Sequence, residues 1–180
     1  MKKIVIIVGK TGAGKSTLCR RIADTSQFQL LSFAKAGKEF AQSKDYEHIR
    51  ECYHDLGKEI FTKDFTEFFS QIINDKINNF SNIIIDGLYV ESIALRLKEQ
   101  YSVLIIDIDV PLEICLQRIF NRENNGFIDV KKEYSSKEEL KTHLGSNAII
   151  ELADIVIDGT DDSDTVYNSV QRCISNFLGK

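Results

Sequence analysis

The chain has 180 residues, a hydrophobic fraction of 43%, and 23 basic against 27 acidic side chains, giving a formal charge of -4. That length sets the expectation of one domain, residues 1–180, able to bury a core without disulfides or metals. The charges are spread along the chain, which excludes the global basic field that nucleic-acid binding uses. No apolar run approaches the length that spans a bilayer. The Lys2-Lys3 start leads an apolar run that is too short for a signal peptide and ends on Gly9-Lys10, so a cytoplasmic protein is expected.

Lys3 to Val8 is apolar and β-branched, and reads as a first strand. Directly after it, Gly9-Lys10-Thr11-Gly12-Ala13-Gly14-Lys15-Ser16 satisfies GxxxxGK[ST] at every fixed position, and Leu18 and Ile22 then repeat at helical spacing. Strand, glycine loop and helix in that order form a phosphate cradle. The glycines let backbone N–H groups turn inward, and the helix starting near Lys15 aims its positive dipole end at the same point. This pattern assigns ATP and magnesium as ligands. Lys15 is expected on the β and γ phosphates and Ser16 on the metal, with Gly9, Lys10, Thr11, Gly12, Ala13, Gly14 and Thr17 completing the cradle.

Gln29 to Ser32 is a weak second strand, and residues 34–80 hold two or three helices that are expected to form an acceptor-binding insertion. Ile83-Ile84-Ile85-Asp86-Gly87 reads as a buried strand ending in an acid. Asp86 then stands at the carboxyl edge of the sheet, where it would hold magnesium or orient an acceptor hydroxyl, a turn or helix-capping Asp being the plain alternative. Val103 to Asp107 is a fourth strand, and Asp107 and Asp109 are substitutes for Asp86 in the same role. Pro111 opens a helix carrying Leu112, Cys115, Leu116, Ile119 and Phe120 on one side. Arg118 and Arg122, four apart on that helix, are expected to close on phosphates, whose oxygens gain charge in the transition state. Residues 121–147 are polar and glycine-punctuated, and read as a short mobile lid opening at Asn121 to Gly126, with Lys131, Lys132, Lys137 and Lys141 as further cations. Ile155 to Asp158 is the fifth strand, and Asp161, Asp162 and Ser163 cap a last helix.

Strands alternating with helices predict an α/β domain whose parallel sheet is covered on both faces. The cysteines Cys19, Cys52, Cys115 and Cys173 match no zinc or CxxC spacing and read as reduced residues, mostly in the core. His48, His54 and His143 are too scattered for a metal site.

Several segments resemble P-loop kinases of the nucleoside monophosphate kinase group, in particular phage-type deoxynucleoside monophosphate kinases, with further likeness to dephospho-CoA kinases and adenylate kinases. They are Ser32-Phe33-Ala34 with Lys38-Glu39-Phe40-Ala41, Arg50 ahead of Leu56-Gly57, Asp86-Gly87, the helix with Arg118 and Arg122, and Ala153-Asp154-Ile155-Val156-Ile157. The resemblance spans nearly the whole chain. It implies a P-loop NTPase three-layer α/β/α sandwich with a five-stranded parallel sheet in order 2-3-1-4-5, Gly159-Thr160 near the adenine, and transfer of the γ-phosphoryl group to a (deoxy)nucleoside monophosphate. Adenylate kinases follow Asp-Gly with an aromatic, a proline and an acceptor-binding arginine. This chain has Leu88-Tyr89-Val90 there and no arginine before Arg96. Lys38 and Arg50 are therefore the candidates to meet an acceptor's charge, and Phe33 to stack on its base. Two other readings stay open at this level: phosphorylation of a hydroxyl, as in dephospho-CoA kinases, and a regulatory P-loop ATPase or switch with no acceptor.

Overall fold

The structure, a computed structural model, describes residues 2–25, 28–80, 82–123 and 127–179. The elements run β1 (Lys3–Val8), α1 (Lys15–Thr25), β2 (Phe28–Ser32), α2 (Phe33–Ser43), α3 (Ile49–Asn79), β3 (Asn82–Asp86), α4 (Glu91–Gln100), β4 (Ser102–Asp109), α5 (Leu112–Glu123), α6 (Phe127–His143), α7 (Ser146–Glu151), β5 (Ile155–Asp158) and α8 (Ser163–Leu178). The strands form one parallel sheet in the order β2-β3-β1-β4-β5. This is the three-layer architecture and strand order implied by the resemblance.

The strands are near-continuous apolar runs because both faces of the sheet are covered. Alternation at a period of two sends Ile4, Ile6 and Val8 of β1 into one core with Ile83 and Ile85 of β3, and sends Val5 and Ile7 into a second core with Ile84. The first core lies under α2, α3, α4 and α7, where Phe33, Phe40, Phe61, Phe65 and Phe69 form an aromatic cluster. The second is closed by Leu18, Cys19 and Ile22 of α1, Cys115 of α5, and Val170 and Ile174 of α8.

Between β2 and β3 the chain makes α2 and then α3, which is two helical stretches meeting at Gly57, where φ of 76° and ψ of 159° break the helix. Residues 121–147 differ from the loop-like segment expected of them. Apart from Asn124, Asn125 and Gly126, which lie outside the described residues, they are largely helical, with α6 running 17 residues. The anchors explain this. Val130 packs with Leu116 and Ile119 of α5, while Leu140 and Leu144 enter the first core, giving an apolar stripe at helical spacing too thin to stand out among so many charges. No described helix is long and apolar enough to cross a membrane.

Candidate active site

β1 ends against the sheet's carboxyl edge, and the chain turns through Gly9 to Gly14 into α1. Two of these glycines are required by geometry. Gly9 has φ of +131°, and a Cβ there would stand 2.5 Å from the Ile108 carbonyl oxygen; at Gly12, φ +88°, it would stand 2.7 Å from the Cys115 carbonyl oxygen. The loop is thus pressed onto β4 and α5. Ser16 and Thr17 are exposed at the start of α1.

Lys15 reaches back over the loop and donates to the Lys10 carbonyl at 2.6 Å. Burial, together with the nearby charge of Lys141, lowers its pKa from 10.5 to about 8, although Asp86 and Glu138 act the other way. Lys10 turns outward, donating to Asp109 at 2.9 Å and to the Val110 carbonyl at 3.0 Å, and this pairing raises its pKa. Asp86 ends β3 next to the loop. Gly87 N–H donates to the Ile7 carbonyl at 2.9 Å, and a Cβ at Gly87 would lie 3.8 Å from Lys15 Cε. Asp86 is only 9% exposed yet opens into the cavity. It caps no helix, since Val90 occupies the N-cap of α4.

The other two acids considered for this role face elsewhere. Asp109 holds Lys10. Asp107 is buried under Gly9, with Oδ1 unpaired; burial first, and then the neighbouring Asp109, raise its pKa.

The cavity over the loop measures about 620 Å³. Its lining includes Gly9, Lys10, Thr11, Gly12, Gly14, Lys15, Ser16, Thr17, Asp86, Arg118 and Arg122, so the structure brings together the phosphate loop, the strand-end acid and the two α5 arginines. Arg118 donates to the Gly159 carbonyl at 2.9 Å and to the Ala13 carbonyl at 3.4 Å, joining the phosphate loop to the end of β5. It thereby also lines a slot of about 270 Å³ shared with Ala13, Thr17, Gly159, Arg21 and Tyr167.

Three acceptor candidates lie away from the cavity lining. Phe33 has no exposed surface; it is ringed by Phe65, Phe69 and Tyr89, and only Tyr89 in front of it reaches the cavity. Lys38 is exposed on α2. Arg50 donates to the Ser136 carbonyl of α6.

Glu138 was invisible to the sequence reading. It accepts from Thr11 Oγ1 at 2.6 Å and from Thr11 N–H at 3.3 Å, and pairs with Lys141 at 2.7 Å, while Lys141 also donates to Thr11 Oγ1. Burial works against the Glu138 carboxylate, but the Lys141 charge and the bonds from Lys141 and Thr11 outweigh it and hold its pKa below the ordinary value. Tyr134, Lys137, Glu138 and Lys141 share one face of α6, and that helical spacing was the signal available. A carboxylate thus sits on a phosphate-loop amide, pinning α6 over the cavity.

Among the described residues no group of three or more His, Cys, Asp or Glu converges to hold a metal. That suits magnesium, which keeps several waters and takes one or two protein ligands beside phosphate oxygens. The Ser16 hydroxyl and the Asp86 carboxylate, which both line the cavity, are the residues that fit it.

Sheet order, phosphate loop and helical cover define a P-loop nucleotide-binding domain of the kinase type. A family model described as AAA domain matches residues 5–160, and the chain belongs to that family. It is similar to adenylate kinase 2 of Plasmodium falciparum (isolate 3D7), at 25% identity over 92% of this chain and 72% of the relative. In fold it resembles shikimate kinase from Bacteroides thetaiotaomicron (TM-score 0.62, 13% identity, all of both chains). It also resembles shikimate kinase from Aquifex aeolicus (TM-score 0.58, 16% identity, 98% of this chain and 99% of the other) and TT1252 from Thermus thermophilus (TM-score 0.69, 12% identity, 97% of each).

Proposed function

We propose that the protein is a small-molecule kinase that transfers the γ-phosphoryl group of Mg-ATP to a nucleotide-like acceptor held against Asp86. One observation carries this reading: Lys15, the loop amides and the Asp86 carboxylate converge on a single cavity that α6 covers. The similarity to adenylate kinase 2 supports the same chemistry.

In this reading the triphosphate lies along Gly12 to Ser16, and the base enters the slot beside Thr17, Arg118 and Gly159, where Tyr167 is already stacked by Arg21 at 3.8 Å. Magnesium, which Ser16 and Asp86 would hold, would supply charge neutralisation to the phosphates. Lys15 leaves the Lys10 carbonyl for those oxygens. Arg118, Arg122 and Lys141 meet the charge that grows during transfer, and α6 excludes water that would otherwise take the phosphoryl group.

The test is ADP release by purified protein with Mg-ATP across nucleosides, nucleoside and deoxynucleoside monophosphates, and dephospho-CoA. Acceptor-dependent ADP is expected. Slow ADP release indifferent to every acceptor would instead identify a regulatory ATPase.

A further inference from the structure

The cavity has two chemically different halves. Its cations, Lys15, Arg118, Arg122, Lys137 and Lys141 among them, come from the phosphate loop, α5 and α6. Much of this charge is already engaged toward the donor side. Arg118 bonds the Ala13 and Gly159 carbonyls, Lys141 bonds Thr11 and Glu138, and Lys137 pairs with Glu133.

The opposite half comes from the turn after β3, the start of α2 and α7; behind it Glu91 N–H, opening α4, donates to the Leu144 carbonyl just ahead of α7 at 3.3 Å. It presents Ala34, Leu88, Tyr89 and Ile150 as apolar surface, Ser146 and the Asn147 carboxamide as neutral polar groups, and Asp86 as its charge. Lys38 and Arg50, the cations the sequence offered for this half, do not line it, and Arg50 is occupied by Ser136.

A phosphate monoester placed here would bring a dianion to a carboxylate across a largely apolar wall, an arrangement whose desolvation no side chain of that wall offsets. A neutral molecule with a flat base and a hydroxyl meets the opposite conditions. The base lies between Leu88, Ile150 and the Tyr89 ring, the Asn147 amide offers both a donor and an acceptor to its edge, and the hydroxyl faces Asp86. Burial raises the pKa of the Tyr89 phenol and its hydroxyl stands beside Gly37, so this residue adds aromatic surface and no charge.

We propose, building on the kinase reading above, that the acceptor is an uncharged nucleoside phosphorylated on a hydroxyl, and not a nucleoside monophosphate. The hydroxyl oxygen attacks the γ phosphorus, forming the new O–P bond as the bond to the β,γ-bridging oxygen breaks. ADP leaves with that electron pair, and the hydroxyl proton passes to the Asp86 carboxylate.

Matched pairs of each common ribo- and deoxynucleoside and its 5′-monophosphate, assayed with the full chain and Mg-ATP and with products identified by mass, test this. The neutral member of at least one pair is expected to exceed its monophosphate by about tenfold or more in kcat/KM. Asn147→Arg, at an exposed position of α7, should move that ratio toward the monophosphate by about tenfold, since it supplies the missing cation. Asp86→Asn should cut turnover on the neutral substrate by about a hundredfold or more at saturating Mg-ATP, because only a hydroxyl has a proton to surrender. Monophosphates used in preference to nucleosides would overturn the proposal and leave the kinase reading intact. No phosphorylated product from either member of any pair, with Mg-ATP still bound, would remove both.

Discussion

The phosphate-loop lysine is held in a position that costs the empty protein stability, and replacing it exposes that cost. Lys15 ionises near 8 in place of 10.5 because its ammonium is buried and faces Lys141. At about 1.36 kcal/mol per pH unit, the charged form at neutral pH is disfavoured by about 3 kcal/mol relative to the unfolded chain. The sign follows from proton counting: between about pH 8 and 10.5 the unfolded chain holds a proton that the native protein has shed, so stability rises with pH across that window, and the full cost is present below it. Lys15→Met keeps the length of the side chain and removes the charge. Allowing for the lost bond to the Lys10 carbonyl, the variant should be more stable than the native protein by about 1–3 kcal/mol at about pH 7, and the gap should close as the pH approaches 10. Urea unfolding of both proteins in the absence of nucleotide, at several pH values, measures it. The same variant should lose phosphoryl transfer by several orders of magnitude, since nothing else in the loop carries that charge to the γ phosphate. A variant less stable than the native protein, or a gap that does not change with pH, would show that Lys15 is not strained in the empty site.

Five further outcomes follow from the geometry. Arg122→Ala should lower kcat by about ten- to a hundredfold with little change in Mg-ATP affinity, whereas Arg118→Ala should weaken both, because Arg118 also ties Ala13 to Gly159; steady-state kinetics beside ATP titration separates them. Glu138→Gln should tighten Mg-ATP binding by about three- to tenfold, measured by calorimetry, because a carboxylate no longer opposes the phosphates at Thr11. The Glu138 clamp contributes stability at pH values above the ordinary carboxylate range and loses it as the pH falls through the lowered native value, so α6 amides should exchange faster in acid, and Glu138→Gln should abolish that dependence. Asp107→Asn should raise stability at neutral pH, since the native carboxyl is buried with an unpaired oxygen and its raised pKa makes the charged form costly once the pH exceeds it. Gly12→Ala should cost more than about 2 kcal/mol in thermal or urea unfolding, because Cβ meets the Cys115 carbonyl and φ is positive.

What could be read in advance and what could not divide along a physical line. β1, β3 and β4 are apolar runs rich in isoleucine and valine with both faces buried, and the loop after β1 is fixed by Gly9 and Gly12, whose neighbours leave no room for a Cβ; such features are written locally and survive in one dimension. Asp86 belongs with them, since a strand's last residue at the sheet's carboxyl edge is placed by the strand itself. Phe33 and Arg50 sit in segments that resemble kinase acceptor motifs, yet one is sealed beneath Tyr89 and the other spent on Ser136, because side-chain destination depends on what packs across from it. α6 shows the same limit from the other side. It is anchored by Val130 and Leu140, with Leu144 just beyond its end, among many charges, and Glu138 gains its meaning only when that helix lands on Thr11, 127 positions earlier.

That long-range contact also bears on how the site is poised. With Glu138 holding the Thr11 amide and hydroxyl, and Lys15 holding the Lys10 carbonyl, three of the loop's donor groups are satisfied within the protein. A loop of inward N–H groups left bare would be an expensive arrangement for a folded protein to keep. In the kinase reading proposed above, Mg-ATP would displace the Glu138 carboxylate from Thr11 and Lys15 from the Lys10 carbonyl, and the release of Glu138 would set Lys141 loose beside the γ phosphate, joining donor binding to completion of the cationic lid.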